Sequence, residues 1–238
     1  MKEIDLAYFP IVGRGEQINI VCALQGIKVK NLISTPMGND FDKDKQAPFG
    51  TVPWMKDQSN GLELNDSLSI IQYLITKYEG PLTPKSSEDA ALIAMYWGWV
   101  QDYYSYVLSP FHDIITGHNE VFWRNLRLTD TLADGGKEKA VSNLTELHNK
   151  RTAYLEKLLN NNNSSKTFLI GEECSYADIF LYTCVRTVQH TPGFGILRDA
   201  CGGDPFSNCT KILKICDEVE KIDKVTETVG SKFKECPI

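Results

Sequence analysis

The sequence has no apolar run long enough to cross a membrane and no excess of positive charge. A spanning helix needs about 18 apolar residues, and the opening stretch MKEIDLAYFP lacks the hydrophobic centre of an export signal. The net charge of −6 provides no basic face for a nucleic acid or an anionic membrane. We therefore expect a cytoplasmic protein that binds neither nucleic acids nor membranes.

The spacings of a metal site and of a disulfide framework are also missing. The seven cysteines are an odd number without a C-x-x-C pair, and the four histidines are not spaced as a pair of ligands. Thiols stay reduced in the cytosol, where disulfides are rare. We expect free thiols and no bound metal.

The sequence does contain enough apolar residues for two separate cores. Its 238 residues are 42% hydrophobic and 24% charged, which is typical of a soluble globular protein. The stretch EGPLTPKSSEDA is rich in proline and serine, which indicates a linker. We predict one domain over residues 1–80 and a second over residues 81–238.

The first domain alternates strand and helix patterns. Apolar and polar residues alternate over residues 3–8, which predicts a strand, and residues 16–25 show helical spacing before a stop at Gly26. VKNLIS, TVPWM and LELN predict three further strands, the last two joined by a turn at Asn60-Gly61. NDSLSIIQYLITKYEGP predicts a helix, so the order is β-α-β followed by β-β-α.

The second domain is helical throughout. One long helix is predicted over residues 86–111 with a break near Pro110, and a second over residues 137–159. A third begins with Ser175 and Asp178 in a capping arrangement. Residues 206–225 predict a fourth helix and the start of a fifth. The glycine-rich segment TPGFGILRDACGGD has no predicted structure.

Three clusters in the first domain could carry chemistry. Tyr8 ends a strand, with Arg14 in the turn that follows. Proline cannot donate to a strand ladder, so Pro53 in FGTVP implies an edge or a special turn such as one with a cis bond. That arrangement leaves the backbone of Val52 unpaired and able to bind an extended peptide.

The third cluster is Asn-Asp-Ser at the start of the last helix of this domain. The helix N-terminus suits a carboxylate, Ser67 adds a hydroxyl donor and Asp66 an acceptor for an ammonium. Each cluster has an ordinary structural explanation: packing for the tyrosine, a bend for Val-Pro and an N-cap for Asn-Asp-Ser. Together they indicate an extended ligand with an ammonium, a carboxylate and a peptide backbone.

These stretches resemble the cytosolic glutathione transferases, nearest to the tyrosine-type group of sigma, pi, mu and alpha classes, with sigma favoured. LAYFPIVGRGE is similar to the family's strand–turn–helix with the active-site tyrosine, and FGTVPWM to its cis-proline segment. LNDSLSIIQYL and FLIGEECSYADIFLY are similar to two helix starts of the family. The resemblance implies an α/β thioredoxin-like N-terminal domain plus an all-α C-terminal helical domain.

The resemblance also implies the catalytic residues. Tyr8 matches the tyrosine whose hydroxyl donates to the sulfur of glutathione, and Arg14 matches a residue that supports it electrostatically. A thiol of pKa ~8.5 needs a drop of ~1.5, about 2 kcal/mol, to be half ionised at neutral pH. A hydrogen bond to a charged group contributes roughly 1.5–3 kcal/mol, so one hydroxyl suffices.

By the same resemblance, the Val52 backbone pairs with the cysteinyl unit of glutathione, and Asp66 and Ser67 hold its γ-glutamyl group. The glutathione-binding positions are Tyr8, Lys43 or Lys45, Thr51, Val52, Pro53, Asp66, Ser67 and, from the partner subunit of a homodimer, Asp102. The pocket for the second substrate lies between the domains and is lined by Phe9, Ile11, Tyr104, Leu108 and His112. Glutathione is a co-substrate, and no metal is implied.

Two departures from the family pattern keep alternatives open. Asp66 stands where the family usually has Gln or Glu, and Phe41 is the nearest aromatic residue where a tryptophan is common. The favoured function is conjugation of glutathione to small hydrophobic electrophiles in detoxification, because a scaffold would not need Tyr8 and Arg14. The alternatives are a glutathione-dependent isomerase similar to prostaglandin D synthases and a non-catalytic ligand carrier or structural protein.

Overall fold

The structure, a computed structural model, describes residues 2–34, 41–110, 136–162 and 166–235. The strands and helices of the N-terminal part are, in chain order, β1 (Glu3–Ala7), α1 (Arg14–Gln25), β2 (Lys28–Asn31), α2 (Lys43–Gln46), β3 (Trp54–Asp57), β4 (Glu63–Asn65) and α3 (Ser67–Lys77). The strands form one mixed sheet in the order β2-β1-β3-β4. Strands β1 and β2 are parallel, and the other neighbouring pairs are antiparallel. The predicted order is confirmed, with the one-turn helix α2 added.

The two faces of the sheet bury different sets of side chains, because successive side chains of a strand point to opposite faces. Leu6 and Met55 are fully buried in the main core, which also contains Ile18 of α1 and Ile71 of α3. Their neighbours Ala7 and Trp54 belong to a smaller cluster with Ile33, Phe41 and Ala47. The sheet is therefore covered on both faces.

The turn between β3 and β4 is held by a buried carboxylate. Asp57 is fully buried and accepts hydrogen bonds from the hydroxyls of Tyr73 (2.7 Å) and Tyr78 (2.8 Å) and from Lys77 Nζ (2.9 Å). Burial alone would raise the pKa of Asp57, but the hydrogen bonds from Ser59, Lys77 and Tyr73 outweigh it and hold that pKa well below its ordinary value. This network joins the hairpin to the end of α3.

The C-terminal part is helical, as predicted. Its elements are α4 (Ser87–Tyr103), a π-helical segment (Tyr104–Leu108), α5 (Gly136–Asn162), α6 (Tyr176–His190), a 3₁₀ turn (Pro192–Phe194), α7 (Gly195–Cys201), α8 (Thr210–Glu220), α9 (Asp223–Val229) and α10 (Lys232–Glu235). The glycine-rich segment without a prediction contains the 3₁₀ turn and α7, which ends at Gly202 with φ 71°. The predicted division at residue 80 falls between α3 and α4 and stays a prediction.

The long helix α4 widens before the expected break. The Ser109 N–H donates to the carbonyl of Tyr104, five residues back, in place of the usual four. Pro110 has no N–H to donate and its ring crowds the carbonyl four residues earlier, so the distortion lies on its N-terminal side. Residue 111, the end of the predicted helix, lies outside the described residues.

Helix α6 begins with the predicted capping box. The Ser175 side chain accepts the Asp178 N–H, and the carboxylate of Asp178 accepts the Ser175 N–H at 2.8 Å. Asp178 also accepts the Leu169 N–H at 2.8 Å, which ties the preceding loop to the helix. Burial raises the pKa of Asp178 to about 6.

The described ranges contain no helix with the length and apolar character needed to cross a bilayer. Within the same ranges, no group of His, Cys, Asp and Glu side chains is arranged to hold a metal ion. Six cysteines are free thiols: Cys22, Cys174, Cys184, Cys201, Cys209 and Cys216. The seventh, Cys236, lies outside the described residues.

Candidate functional site

The sheet register brings the three predicted clusters to one edge. The last residue of β1 pairs with the first residue of β3, which in turn pairs with the last residue of β4. The residues just beyond this row therefore lie side by side: Tyr8 follows β1, Pro53 precedes β3 and Asp66 follows β4. Tyr8 thus lies in one candidate site with Pro53 and Asp66, which follow it by more than forty positions in the chain.

Tyr8 lies against the turn that leads into α1. Its hydroxyl oxygen accepts the Arg14 N–H at 3.1 Å. A Cβ on Gly13 would lie 2.5 Å from that oxygen, and a Cβ on Gly15 would overlap the Tyr8 ring at Cγ. Glycine is required at position 15 because the ring occupies the space of a side chain, whereas a Cβ at position 13 would displace the hydroxyl end of the ring. Glycine on each side of Arg14 is a signal of this close approach that our sequence interpretation missed.

Arg14 places a positive charge at the start of α1. Its guanidinium lies over the Tyr104 ring, 5.1 Å from the centroid. Its Nε is buried, and neither a hydrogen bond to Nε nor an ion pair of this arginine is found within the described residues. The structure thus brings Arg14 together with Tyr8 and Tyr104.

The segment before β3 has the expected cis bond between Val52 and Pro53. The carbonyls on either side of Val52 are held by the side chain of Asn65, whose Nδ2 donates to Thr51 O (2.7 Å) and to Pro53 O (3.0 Å). The Val52 N–H and C=O form no hydrogen bond with other described residues. Asn65 belongs to the predicted Asn-Asp-Ser cluster, but its hydrogen bonds to the Val52 segment were not predicted, because their partners lie more than ten residues earlier in the chain.

The start of α3 has an N-cap residue, Asp66, followed by Ser67, whose hydroxyl makes no hydrogen bond within the described residues. Asp66 is the N-cap, and its Oδ1 accepts the N–H groups of Leu68 and Ser69, both at 3.1 Å. The N-cap interpretation of Asp66 therefore applies. The residue is exposed, and its φ of 76° is rare for a residue other than glycine. The Ser67 hydroxyl is buried and has no hydrogen-bond partner within the described part of the chain.

The two loop lysines lie on the one-turn helix α2. Lys45 forms an ion pair with Asp42 at 2.8 Å and is largely exposed, and Lys43 is half-buried. Phe41, just before this helix, packs on Trp54 with 5.1 Å between ring centroids. A tryptophan is thus present beside this loop, but it comes from β3.

The residues predicted for the second pocket are only partly brought together. Phe9, Ile11 and Tyr104 are half-buried, and Tyr104 is reached by Arg14. Leu108 is 1% exposed and belongs to the main core, so it is not on an open wall as predicted. His112 lies outside the described residues.

Asp102 is on an outward face of α4. Its side chain is 58% exposed and lies 3.9 Å from Arg151 of α5. Leu92, Met95 and Tyr106 are spaced along the same face and are exposed. An acid and three apolar side chains thus face outward together.

Comparison with known proteins agrees with this architecture. Residues 15–82 match the family model for the N-terminal domain of glutathione S-transferases, and residues 126–230 match the model for the C-terminal domain. Among curated proteins, the chain is 29% identical over 177 residues to glutathione S-transferase P 1 of Xenopus laevis, covering 73% of this chain and 71% of that protein. It is 24% identical over 177 residues to a glutathione S-transferase of Dirofilaria immitis, covering 74% and 73%. The chain belongs to the glutathione S-transferase family.

Solved structures show the same fold. NaGST-2 superimposes with a TM-score of 0.72 at 21% identity and 98% coverage of both chains. The glutathione S-transferase of Ascaris lumbricoides gives 0.69 at 18% identity, with 99% of this chain and 98% of that chain covered. Rat hPGDS complexed with a quinoline gives 0.65 at 21% identity, covering 95% and 96%. The predicted fold, a thioredoxin-like unit followed by a helical unit, is confirmed.

Proposed function

We propose that this glutathione transferase ionises the thiol of glutathione with Tyr8 and joins it to small hydrophobic electrophiles. The observation that carries the proposal is the hydrogen bond from the Arg14 N–H to the Tyr8 hydroxyl, at the start of α1. A hydroxyl that accepts a backbone hydrogen bond has its own hydrogen to donate to a sulfur. Accepting that bond also makes it a better donor, because bonds in a chain polarise one another.

Two positive features lie close to this hydroxyl. The N-terminus of α1 carries the positive end of the helix dipole, and the Arg14 guanidinium has no ion-pair partner among the described acids. Both favour a thiolate over a thiol, as at other cysteine sites near helix N-termini and arginines. With the hydroxyl, they supply the roughly 2 kcal/mol that ionisation at neutral pH requires.

Glutathione fits the rest of the edge as an extended peptide. The Val52 N–H and C=O lie outside the ladder and suit the backbone of the cysteinyl unit. The buried Ser67 hydroxyl and the N-terminus of α3 suit the γ-glutamyl carboxylate. Asp66 Oδ2, which makes no hydrogen bond within the described residues, suits the ammonium. Lys43 or Lys45 supplies the cation for the glycyl carboxylate.

The electrophile binds beside Tyr8 against Phe9, Ile11 and Tyr104. In the reaction with an aryl halide, the thiol first loses its proton to water. The thiolate sulfur then forms the new bond to the ring carbon, and the halide leaves that carbon with the electrons of the carbon–halogen bond. A deprotonated sulfur is the reacting form, so the rate follows the thiolate fraction.

We further propose that the enzyme is a cytoplasmic homodimer that acts in detoxification. Exposed Phe49 (74%), Met95 (50%) and Leu92 (41%) supply apolar area for a second copy, and Asp102 is exposed on the same helix. In the dimer, Asp102 reaches the glutathione of the partner subunit. The free thiols are typical of a reducing compartment.

The test is turnover of glutathione with an aryl halide by the wild type and by Tyr8→Phe. We expect Tyr8→Phe to lower kcat/KM by roughly tenfold to a hundredfold, since one hydrogen bond to a charged sulfur is lost. Tyr73→Phe, which removes a hydroxyl from the Asp57 network, is the matched control and should keep its activity. An unchanged rate for Tyr8→Phe, or glutathione binding without turnover by the wild type, would contradict the proposal.

A further inference from the structure

We propose that Asn65 is a positioning residue for glutathione: its side chain sets the backbone of Val52 in the orientation that binds the peptide. The inference rests on the proposed function and extends it to a residue that binds no substrate itself. Asn65 is the last residue of β4 and is 6% exposed. It directly precedes Asp66 and Ser67 in the chain. Its side chain contacts the other part of the candidate site, the segment that contains Val52.

Three hydrogen bonds connect Asn65 to the segment before β3. Nδ2 donates to Thr51 O at 2.7 Å and to Pro53 O at 3.0 Å, and Oδ1 accepts the Phe49 N–H at 3.3 Å. The two amide hydrogens and the amide oxygen are therefore all used on one stretch of five residues. A side-chain amide is planar with fixed donor directions, so these bonds fix where the stretch lies.

The position of the Thr51 carbonyl determines the direction of the Val52 N–H. Thr51 O and the Val52 N–H belong to one trans peptide unit, in which the two groups point in opposite directions. Because Asn65 holds Thr51 O on its own side, the Val52 N–H points away from Asn65. The Val52 N–H and C=O make no hydrogen bond within the described residues, so this N–H is left for a ligand.

The anchor of Asn65 is rigid. Asn65 pairs with Trp54, the first residue of β3, and Trp54 is buried against Phe41. The brace therefore extends from the edge strand β4, which is anchored on the buried Trp54 of β3, to the loop that precedes β3. Preorganised groups bind more tightly because the ordering of the loop does not oppose binding.

The decisive variant is Asn65→Asp, which keeps the shape but cannot donate when ionised, and sets a carboxylate against two carbonyl oxygens. We expect the glutathione Kd and KM to rise at least tenfold. The kcat at saturating glutathione should stay within about twofold of the wild-type value, because Tyr8 is untouched. The pKa of the bound thiol should stay within about 0.3 of the wild-type pKa, which is on the order of experimental scatter. Tyr8→Phe should give the opposite pattern, with a raised thiol pKa and little change in Kd.

Tyr73→Phe is the control for stability. It weakens the same β3, β4 and α3 unit at its far end, through the bond to Asp57. It should lower the Tm without changing the glutathione KM. If Asn65→Asp does not fold, Asn65→Ser, which is too short to reach both carbonyls, gives the same readouts. An unchanged KM in the folded variant would overturn the positioning role, and so would failure of both variants to fold.

The two proposals fail in different ways. If the wild type binds glutathione and Asn65→Asp binds it equally well, only the positioning role is overturned. If kcat and the thiol pKa change in Asn65→Asp as much as KM does, Asn65 acts on Tyr8 and the positioning role is again overturned. If the wild type does not bind glutathione, both proposals are overturned.

Discussion

The Tyr8 hydroxyl oxygen lies 3.1 Å from the Arg14 nitrogen, across a turn in which Gly13 and Gly15 leave room for the tyrosine ring. The end of β1 and the start of α1 are thus joined through Tyr8, the side chain that we expect to contact the sulfur of glutathione. A change in the turn should therefore act on catalysis through the position of this ring, without altering any group that reacts.

Gly15→Ala tests this relationship. Its Cβ would overlap the ring of Tyr8 at Cγ, which is the stiff end of the side chain, so the ring must move. We expect kcat/KM to fall at least tenfold in the aryl halide assay. Gly98→Ala in α4 is the matched control: a Cβ there has open space, and the helix should gain about 0.5–1 kcal/mol. Equal activity of the two variants would contradict the role of the turn.

Arg14→Gln should raise the pKa of the bound thiol, because it removes a positive charge near the sulfur but keeps the backbone N–H. The expected loss is roughly tenfold in kcat at pH 7, or about 1.4 kcal/mol, and it should shrink as the pH rises. Titration of the bound thiol by ultraviolet absorbance measures the shift directly. Lys150→Gln removes a positive charge from the exposed face of α5 and should leave the profile unchanged.

Asp57→Asn should destabilise the fold by about 3 kcal/mol, because three donors around a fully buried carboxylate lose their charged partner. The pKa of Asp57 is lowered in the folded state, so its contribution is present above its ordinary pKa of 3.8 and is lost as the pH falls below it. Urea unfolding at pH 7 and pH 3 measures both effects. Between pH 7 and pH 3, the unfolding free energy of Asp57→Asn should fall by less than that of the wild type.

His148 should make stability fall in mild acid. Its ring is fully buried, with Nδ1 2.9 Å from the Tyr103 hydroxyl and Nε2 3.0 Å from Pro205 O. Nε2 must donate to the carbonyl, so the neutral ring accepts from Tyr103 at Nδ1. Burial lowers the pKa of His148, so the unfolded state binds the proton first and stability decreases as the pH drops below about 6.5.

Comparison of wild type with His148→Gln isolates this contribution to unfolding free energy. Asp178 acts in the opposite sense: with a folded pKa of about 6, it stabilises the fold most in acid, and that contribution is lost as the pH rises through 6. Both proteins contain Asp178, so the difference between their pH profiles belongs to His148. A parallel pair of profiles would contradict this prediction, because it would mean that His148 binds protons equally in the folded and unfolded states.

Met95→Glu should convert the proposed homodimer into monomers. Met95 is 50% exposed on the face of α4 that carries Asp102, and a charge there opposes an apolar contact between copies. Light scattering coupled to size exclusion measures the mass. Leu62→Glu, at an exposed site in the β3–β4 turn, is the control and should leave the mass unchanged. A monomeric wild type would contradict the dimer proposal.

Local signals predicted much of the fold. The stop at Gly26 and the capping box of Ser175 and Asp178 were both confirmed, because caps depend on residues within one helical turn. Residues 191–204 gave no prediction, since glycines obscure helical spacing, and yet they contain α7. The π-helical segment at residues 104–108 was not predicted; it precedes the break predicted near Pro110, because a proline distorts the turn that comes before it.

The sequence by itself determined which residue types were available at the candidate site: a tyrosine after a strand, a Val-Pro pair and a helix start with Asp and Ser. Tertiary structure alone decided that these meet at one edge, because strand register is set by how the sheet buries its two faces. It also decided that Asn65 braces the Val52 segment, that Leu108 is in the core, and that Gly13 and Gly15 lie under the Tyr8 ring. The Asn65 brace and the burial of Leu108 depend on residues distant in the chain, and a side chain's identity does not specify its distant neighbours. The approach of Tyr8 to the two glycines is local, but it depends on the path that the turn takes.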